Sequence, residues 1–289
     1  MKKLYANGCS FTHGHTVTES YSDECDLRTN YTNNDYTYTS PYRDPVAWPS
    51  HLTDRFSEVF NHSLFGTGAQ RLTRTTLEFL NSVPDHEIDD WVFVLQFSQP
   101  NRVELLLGEK YTHYVEVHMP HEYPYDYRNH IDVNRELRFL NTTNSVDHDD
   151  FNDDANKIAD SYRTCKDLAR YINHARSFKQ QLYEQVKELY ILINVLESRG
   201  CKYIITGMDT RCHDAERLKE LYIDRNYADM AEPTYQLLCQ VPTHNIVKCT
   251  DTILAQNPDY HDPCGHPNRT GHQIFADYLA TELTNRGYI

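Results

Sequence analysis

Short apolar runs alternate with longer segments of helical period along this chain. Residues 3–6 (KLYA) form the first run, closed by Asn7-Gly8, and residues 58–61 (EVFN) the second. Residues 91–97 (WVFVLQF) are almost wholly apolar, as expected of a strand covered on both faces. Residues 202–205 (KYII) before Thr206-Gly207 give a fourth strand, and residues 245–248 (NIVK) a fifth. Between them the spacing predicts helices. One covers 45–56 with Pro45 at its start, and one covers 69–81 with Leu72, Leu77 and Leu80 on a face. The longest covers 178–199, where Leu182, Val186, Leu189, Ile193 and Leu196 share a stripe and Gly200 supplies the cap. Further helices are predicted at 214–223 and 270–284. Strand–helix alternation of this kind implies an open parallel sheet with helices on both faces.

Two stretches break the rhythm. Residues 19–43 are polar and tyrosine-rich and read as a long loop. Residues 103–175 fall between the third strand and the long helix, with predicted strands at 103–107 and 113–118 and an acidic tract at 145–154 (SVDHDDFNDD). The expectation is a single domain spanning 1–289, with 103–175 as an insertion within it.

Composition narrows the class of function. Hydrophobic residues make up 39%, and 22 tyrosines with 11 phenylalanines supply ample material for a packed core. The formal net charge of -14 argues against nucleic acid and anionic membrane surfaces as partners, since phosphate-bearing polymers and lipids repel such a chain. No segment approaches the roughly 18 apolar residues of a membrane helix. No leader segment is evident before the first strand. Eight cysteines at irregular spacing, with no C-x-x-C pair, read as reduced thiols and a cytoplasmic setting.

Four segments carry candidate chemistry, each following a predicted strand or preceding a helix. The first is Gly8-Cys9-Ser10-Phe11-Thr12-His13-Gly14. A serine at the carboxyl end of a parallel strand faces the crevice where open α/β sheets bind ligands; read alone, the segment is equally a structural or phosphate-binding turn. The second is His266-Pro267-Asn268-Arg269-Thr270-Gly271-His272, an imidazole just before a helix, placed to act as a general base or simply to face solvent. The third is Asn61–Gly68 (NHSLFGTG), whose glycines can aim backbone N–H groups into a site or merely make a turn. The fourth is Gln96–Arg102 (QFSQPNR), whose amides and hydroxyl can stabilise an oxyanion or cap the strand.

In this order and at these strand ends, the four segments resemble the conserved blocks of the SGNH/GDSL hydrolases. GCSFTHG is similar to the family's first block, which implies Ser10 as nucleophile with its backbone N–H in the oxyanion hole. Gly66 matches the glycine of the second block, after an Asn at the usual offset, and Trp48-Pro49 is also typical. HPNRTGH resembles the last block, with His266 as the catalytic histidine. The third block usually reads Gly-x-Asn-Asp; here Asn101 is its nearest equivalent, and Ser98 and Gln96 are rivals. The family's carboxylate stands three residues before the histidine, where this chain has Pro263, so Asp262 is the nearest candidate. The resemblance covers roughly 1–102 and 200–289. It implies a three-layer α/β/α sandwich with a five-stranded parallel sheet, of flavodoxin-like SGNH type, and esterase chemistry through an acyl-enzyme without a cofactor.

His13, Gln96 and Asp209 complete the candidate site as substrate contacts, with capping or surface roles as their alternatives. Two histidine-containing sets compete as metal ligands: Asp262, Cys264, His266 and His272, and His113, Glu116, His118 and His121. Neither has the spacing of a standard metal motif, and the expectation is no metal. The absence of an apolar lid favours short-chain, acetyl-type esters, including those of carbohydrates. A catalytically weak scaffold that recognises glycans or a protein partner is the alternative. The Asn-, Asp- and Tyr-rich composition resembles that of proteins encoded by large bacterial viruses.

Overall fold

A computed structural model of the chain describes residues 1–14, 47–63, 68–98, 102–107, 113–118, 137–140, 178–208, 228–255, 257–261 and 266–289. Four parallel strands form the central sheet: β1 (Lys3–Asn7), β2 (Glu58–Asn61), β3 (Trp91–Phe97) and a later strand, Lys202–Gly207. Their order is β2-β1-β3 and then Lys202–Gly207, with Tyr5 opposite both Phe60 and Phe93, and Phe93 opposite Tyr203. A second, three-stranded antiparallel sheet is made by β4 (Arg102–Leu107), β5 (His113–His118) and β6 (Leu137–Leu140), so Lys202–Gly207 is β7.

The helices are α1 (Ser10–His13), α2 (Ala69–Ser82), α3 (Phe178–Ser198), α4 (Ala228–Gln240), α5 (Thr250–Leu254) and α6 (Arg269–Asn285). They cover the parallel sheet on both faces. One core gathers Tyr5, Phe93, Leu95 and Tyr203 from the strands with Leu72, Leu80, Val186, Leu189 and Ile193 from α2 and α3. The opposite core gathers Leu4, Val92, Val94 and Ile204 with Trp48, Phe275, Leu279 and Leu283, the last three from α6. Successive strand residues thus alternate between two apolar cores, which explains why β3 is apolar at every position but Gln96 and buried along its whole length.

The expected fifth strand is not formed. At 245–248 the chain makes one parallel bridge, Ile205 with Ile246, through Ile205 N–H to Asn245 O and Val247 N–H to Ile205 O, both 2.9 Å. A turn closed by Ile246 N–H to Thr243 O precedes it, and Cys249 caps α5 immediately after, so the segment is too short to extend the ladder. The helix expected at 45–56 is reduced to a 3-10 turn at Trp48–Leu52. The Trp48 N–H donates to His272 Nδ1 at 3.2 Å, which fixes the start of that turn to α6. Helix α4 was not anticipated from the sequence, because Pro233 interrupts its pattern and costs it a backbone donor. Gly200 has the left-handed φ of 67° expected of the cap after α3. The predicted helix at 214–223, the loop at 19–43 and the acidic tract at 145–154 lie outside the described residues. Among those described, no helix is long and apolar enough to cross a membrane.

Phe93 is fully buried and faces Tyr5 and Phe79 at ring distances of 5.4 and 6.1 Å. Phe93→Ala is expected to cost about 3–5 kcal/mol in urea-induced unfolding; a loss below about 1 kcal/mol would contradict the packing described.

Candidate active site

All four parallel strands end at one edge of the sheet, and β1 delivers its turn there. Gly8 and Cys9 follow β1, and Ser10 opens the single helical turn α1. Gly8 is required by space rather than by backbone angle. A Cβ there would lie 2.3 Å from Thr12 Oγ1 and 3.0 Å from both Cβ and the carbonyl oxygen of Gln96. Gly14, with φ 77°, is the left-handed residue that ends the turn, its N–H bonded to Ser10 O at 3.1 Å. As the first residue of the turn, Ser10 has an N–H with no acceptor inside the helix.

The turn is anchored on three sides. Asn7 is fully buried; its Oδ1 accepts from Gly8 N–H at 2.9 Å, and its Nδ2 donates to Thr75 Oγ1 at 2.9 Å and lies within 3.1 Å of Thr76 Oγ1. Asn61, after β2, donates from Nδ2 to Thr12 O at 3.2 Å. Beneath α1, Thr12 Oγ1 donates to Gln96 Oε1, and Gln96 Nε2 donates to Thr250 Oγ1, each at 2.5 Å. Gln96 is fully buried with both amide atoms committed. It therefore ties β3 to α1 and α5 and does not present its amide to a substrate, contrary to the sequence expectation.

The other half of the site comes from the far end of the chain. His266 Nε2 stands 2.9 Å from Ser10 Oγ, across 256 residues of sequence. The Phe11 ring lies 5.2 Å from the imidazole. The segment after His266 is held tightly. Pro267 bridges His261, Asn268 N–H donates to Tyr260 O at 2.9 Å, and the Asn268 side chain caps α6 by accepting from Gly271 N–H at 3.0 Å. Gly271 permits this approach, since a Cβ would fall 2.3 Å from Tyr260 O. His272, deep in the core at 1% exposure, is pushed down to about 3 by burial, with His51 and His266 adding to the effect. It is thus a neutral core residue accepting from Trp48.

Of the residues read from the sequence as a site, the structure brings together Ser10 and His266. Ser98 is buried just beyond β3, its carbonyl accepting from Gln185 Nε2 at 2.9 Å. His13 closes α1 and is half-buried. Gly66, Asn101, Asp209 and Asp262 lie outside the described residues, as do Cys264 and His121. Among the described residues, no group of three or more His, Cys, Asp and Glu side chains is arranged to hold a metal ion. Asn7 and Thr250 were not anticipated from the sequence; the one available signal was a polar residue closing an otherwise apolar strand.

No family model and no curated protein matches this chain. Among solved structures, one similar chain is a carbohydrate esterase whose active site is described as displaying divergent catalytic and non-catalytic binding functions. It is 12% identical, with a TM-score of 0.42, and the match covers 98% of this chain and 68% of that one. A likeness this loose carries no argument about activity.

Gly8→Ala must displace either Thr12 or Gln96, and is expected to cost about 1–3 kcal/mol in chemical unfolding; an unchanged midpoint would contradict the close approach. His272 gives a pH dependence of definite sign. Below the ordinary histidine value of 6.5, the unfolded chain takes up a proton that the folded chain refuses until about pH 3. Stability therefore falls as pH drops through that window, by about 2 kcal/mol at pH 5 from this group. The melting temperature of His272→Gln should fall less steeply between pH 7 and 5 than that of the wild type; parallel profiles would contradict the assignment.

Proposed function

We propose that the chain is a serine hydrolase acting on carboxylic esters, built on a divergent SGNH-type scaffold. The observation that carries this reading is the 2.9 Å approach of His266 Nε2 to Ser10 Oγ at the carboxyl edge of a parallel sheet. A serine hydroxyl is a weak nucleophile until a base within hydrogen-bond reach accepts its proton. In the mechanism, Ser10 Oγ attacks the ester carbonyl as its proton passes to His266 Nε2. The Ser10 backbone N–H stabilises the developing oxyanion, aided by Gly66 and by Asn101 or Ser98. His266 then returns the proton to the leaving alkoxide, leaving an acyl group on Ser10. Water, deprotonated by His266, attacks that acyl group, releasing the acid and restoring Ser10. Asp262 would orient the imidazole and balance its charge while protonated.

The proposed substrates are short-chain, acetyl-type esters, carbohydrate esters included. The short acyl group follows from the absence of an apolar lid in the sequence.

A fluorophosphonate probe should label the wild type and fail to label Ser10→Ala or His266→Ala. Turnover of 4-nitrophenyl acetate should fall by about 10⁴-fold or more in both variants. Failure of the folded wild type to label would contradict the proposal and favour a scaffold that binds glycans or a protein partner without turning them over.

A further inference from the structure

Arg71, in the first turn of α2, is 2% exposed, and its Nε and Nη1 have no hydrogen-bond partner among the described residues. Among the described residues it makes no ion pair. The contrast with its neighbours is informative. Arg74, one turn on, holds Glu78 at 2.9 Å, and Arg199 holds Asp85 at 2.6 Å along with two carbonyl oxygens. The sequence has 42 acidic residues against 28 basic ones, so carboxylates are not scarce. Two of its three guanidinium nitrogens are thus withdrawn from water without such a partner, a costly arrangement, since buried charges are ordinarily paired.

Its position gives the missing partner a place. Helix α2 follows β2, so its N-terminus stands at the sheet edge that carries Ser10. Helical side chains lean toward the N-terminus of their own helix, which directs Arg71 to that edge. The Leu72 carbonyl accepts from Asn7, three residues before Ser10, at 3.4 Å. The first turn of α2 holds no acidic residue, and its cap residue, Gly68, has no side chain, so the helix itself supplies no carboxylate to offset the positive end of its dipole. Nearby His62 is pushed down to about 3, first by burial and then by the positive charges of Arg71 and Arg74. The two guanidiniums thus act on this spot although the chain's formal net charge is -14.

We propose that Arg71 and the first turn of α2 form an anion-binding subsite on the same sheet edge as Ser10, which takes the oxyanion group (carboxylate, phosphate or sulfate) of an ester substrate. The assignment to substrate rests on the hydrolase reading; the anion site itself does not.

Thermal melts with inorganic phosphate, titrated at constant ionic strength, test the site without turnover. The wild type should gain stability saturably, and Arg71→Met should bind phosphate at least about tenfold more weakly, because charge-assisted hydrogen bonds are lost. In phosphate-free buffer, Arg71→Met should melt at or above the wild-type temperature, since an unpaired charge is replaced by an apolar side chain. Equal phosphate responses, or a marked loss of stability without phosphate, would overturn the site. The second arm compares mono-4-nitrophenyl succinate with 4-nitrophenyl butyrate. The ratio of their KM values, anionic over neutral, should rise about tenfold in Arg71→Met. A ratio that does not move, with phosphate still bound through Arg71, overturns the substrate assignment and leaves a free anion as the ligand. If the wild type hydrolyses neither ester while phosphate binding depends on Arg71, the hydrolase reading fails and the anion site stands.

Discussion

The double parallel pairing of β1 is the constraint on which the rest of the site depends. With β2 on one edge and β3 on the other, β1 has no freedom of register: a slip by one residue would turn Tyr5 and Ala6 into the wrong cores. Its carboxyl end is therefore fixed relative to Asn61, Gln96 and the start of α2. Asn61, Gln96 and the α2 hydroxyls that hold Asn7 anchor the Ser10 turn from these neighbours.

Polar groups at this edge are buried because they bind one another. Asn7 satisfies the hydroxyls of α2, Thr12 and Gln96 satisfy each other, and Thr250 takes the remaining Gln96 donor. Such a network is costly when broken and stiff when complete. It gives the turn that carries Ser10 a rigid base, while the His266 segment is held separately through Tyr260, His261 and Asn268. Arg71 is the exception, a buried side chain whose Nε and Nη1 have no partner among the described residues.

The sheet was legible because both of its faces are covered. A run such as WVFVLQF leaves little other interpretation, and the Gly-containing turns after the strands mark the edge that carries Ser10. The 245–248 segment misled because local composition cannot show that a turn and a helix cap crowd it from both sides. The 45–56 segment misled because the Trp48 N–H is engaged by a histidine 224 residues away. The roles of Gln96 and Asn7 were hidden for a similar reason. An amide reads the same in sequence whether it faces a substrate or a buried threonine, and only the long-range packing separates the two. Ser10 and His266 were legible as a pair because two weak segments fitted one scheme at the expected strand and helix ends.

Covalent participation of Ser10 in the proposed reaction is read out by acid-quenching the protein during turnover of a short-chain acetyl ester and mapping the product by peptide mass spectrometry. One acetyl group on Ser10, formed in a burst before steady state, is expected. Turnover with no adduct, or with the acetyl group on another residue, would contradict it.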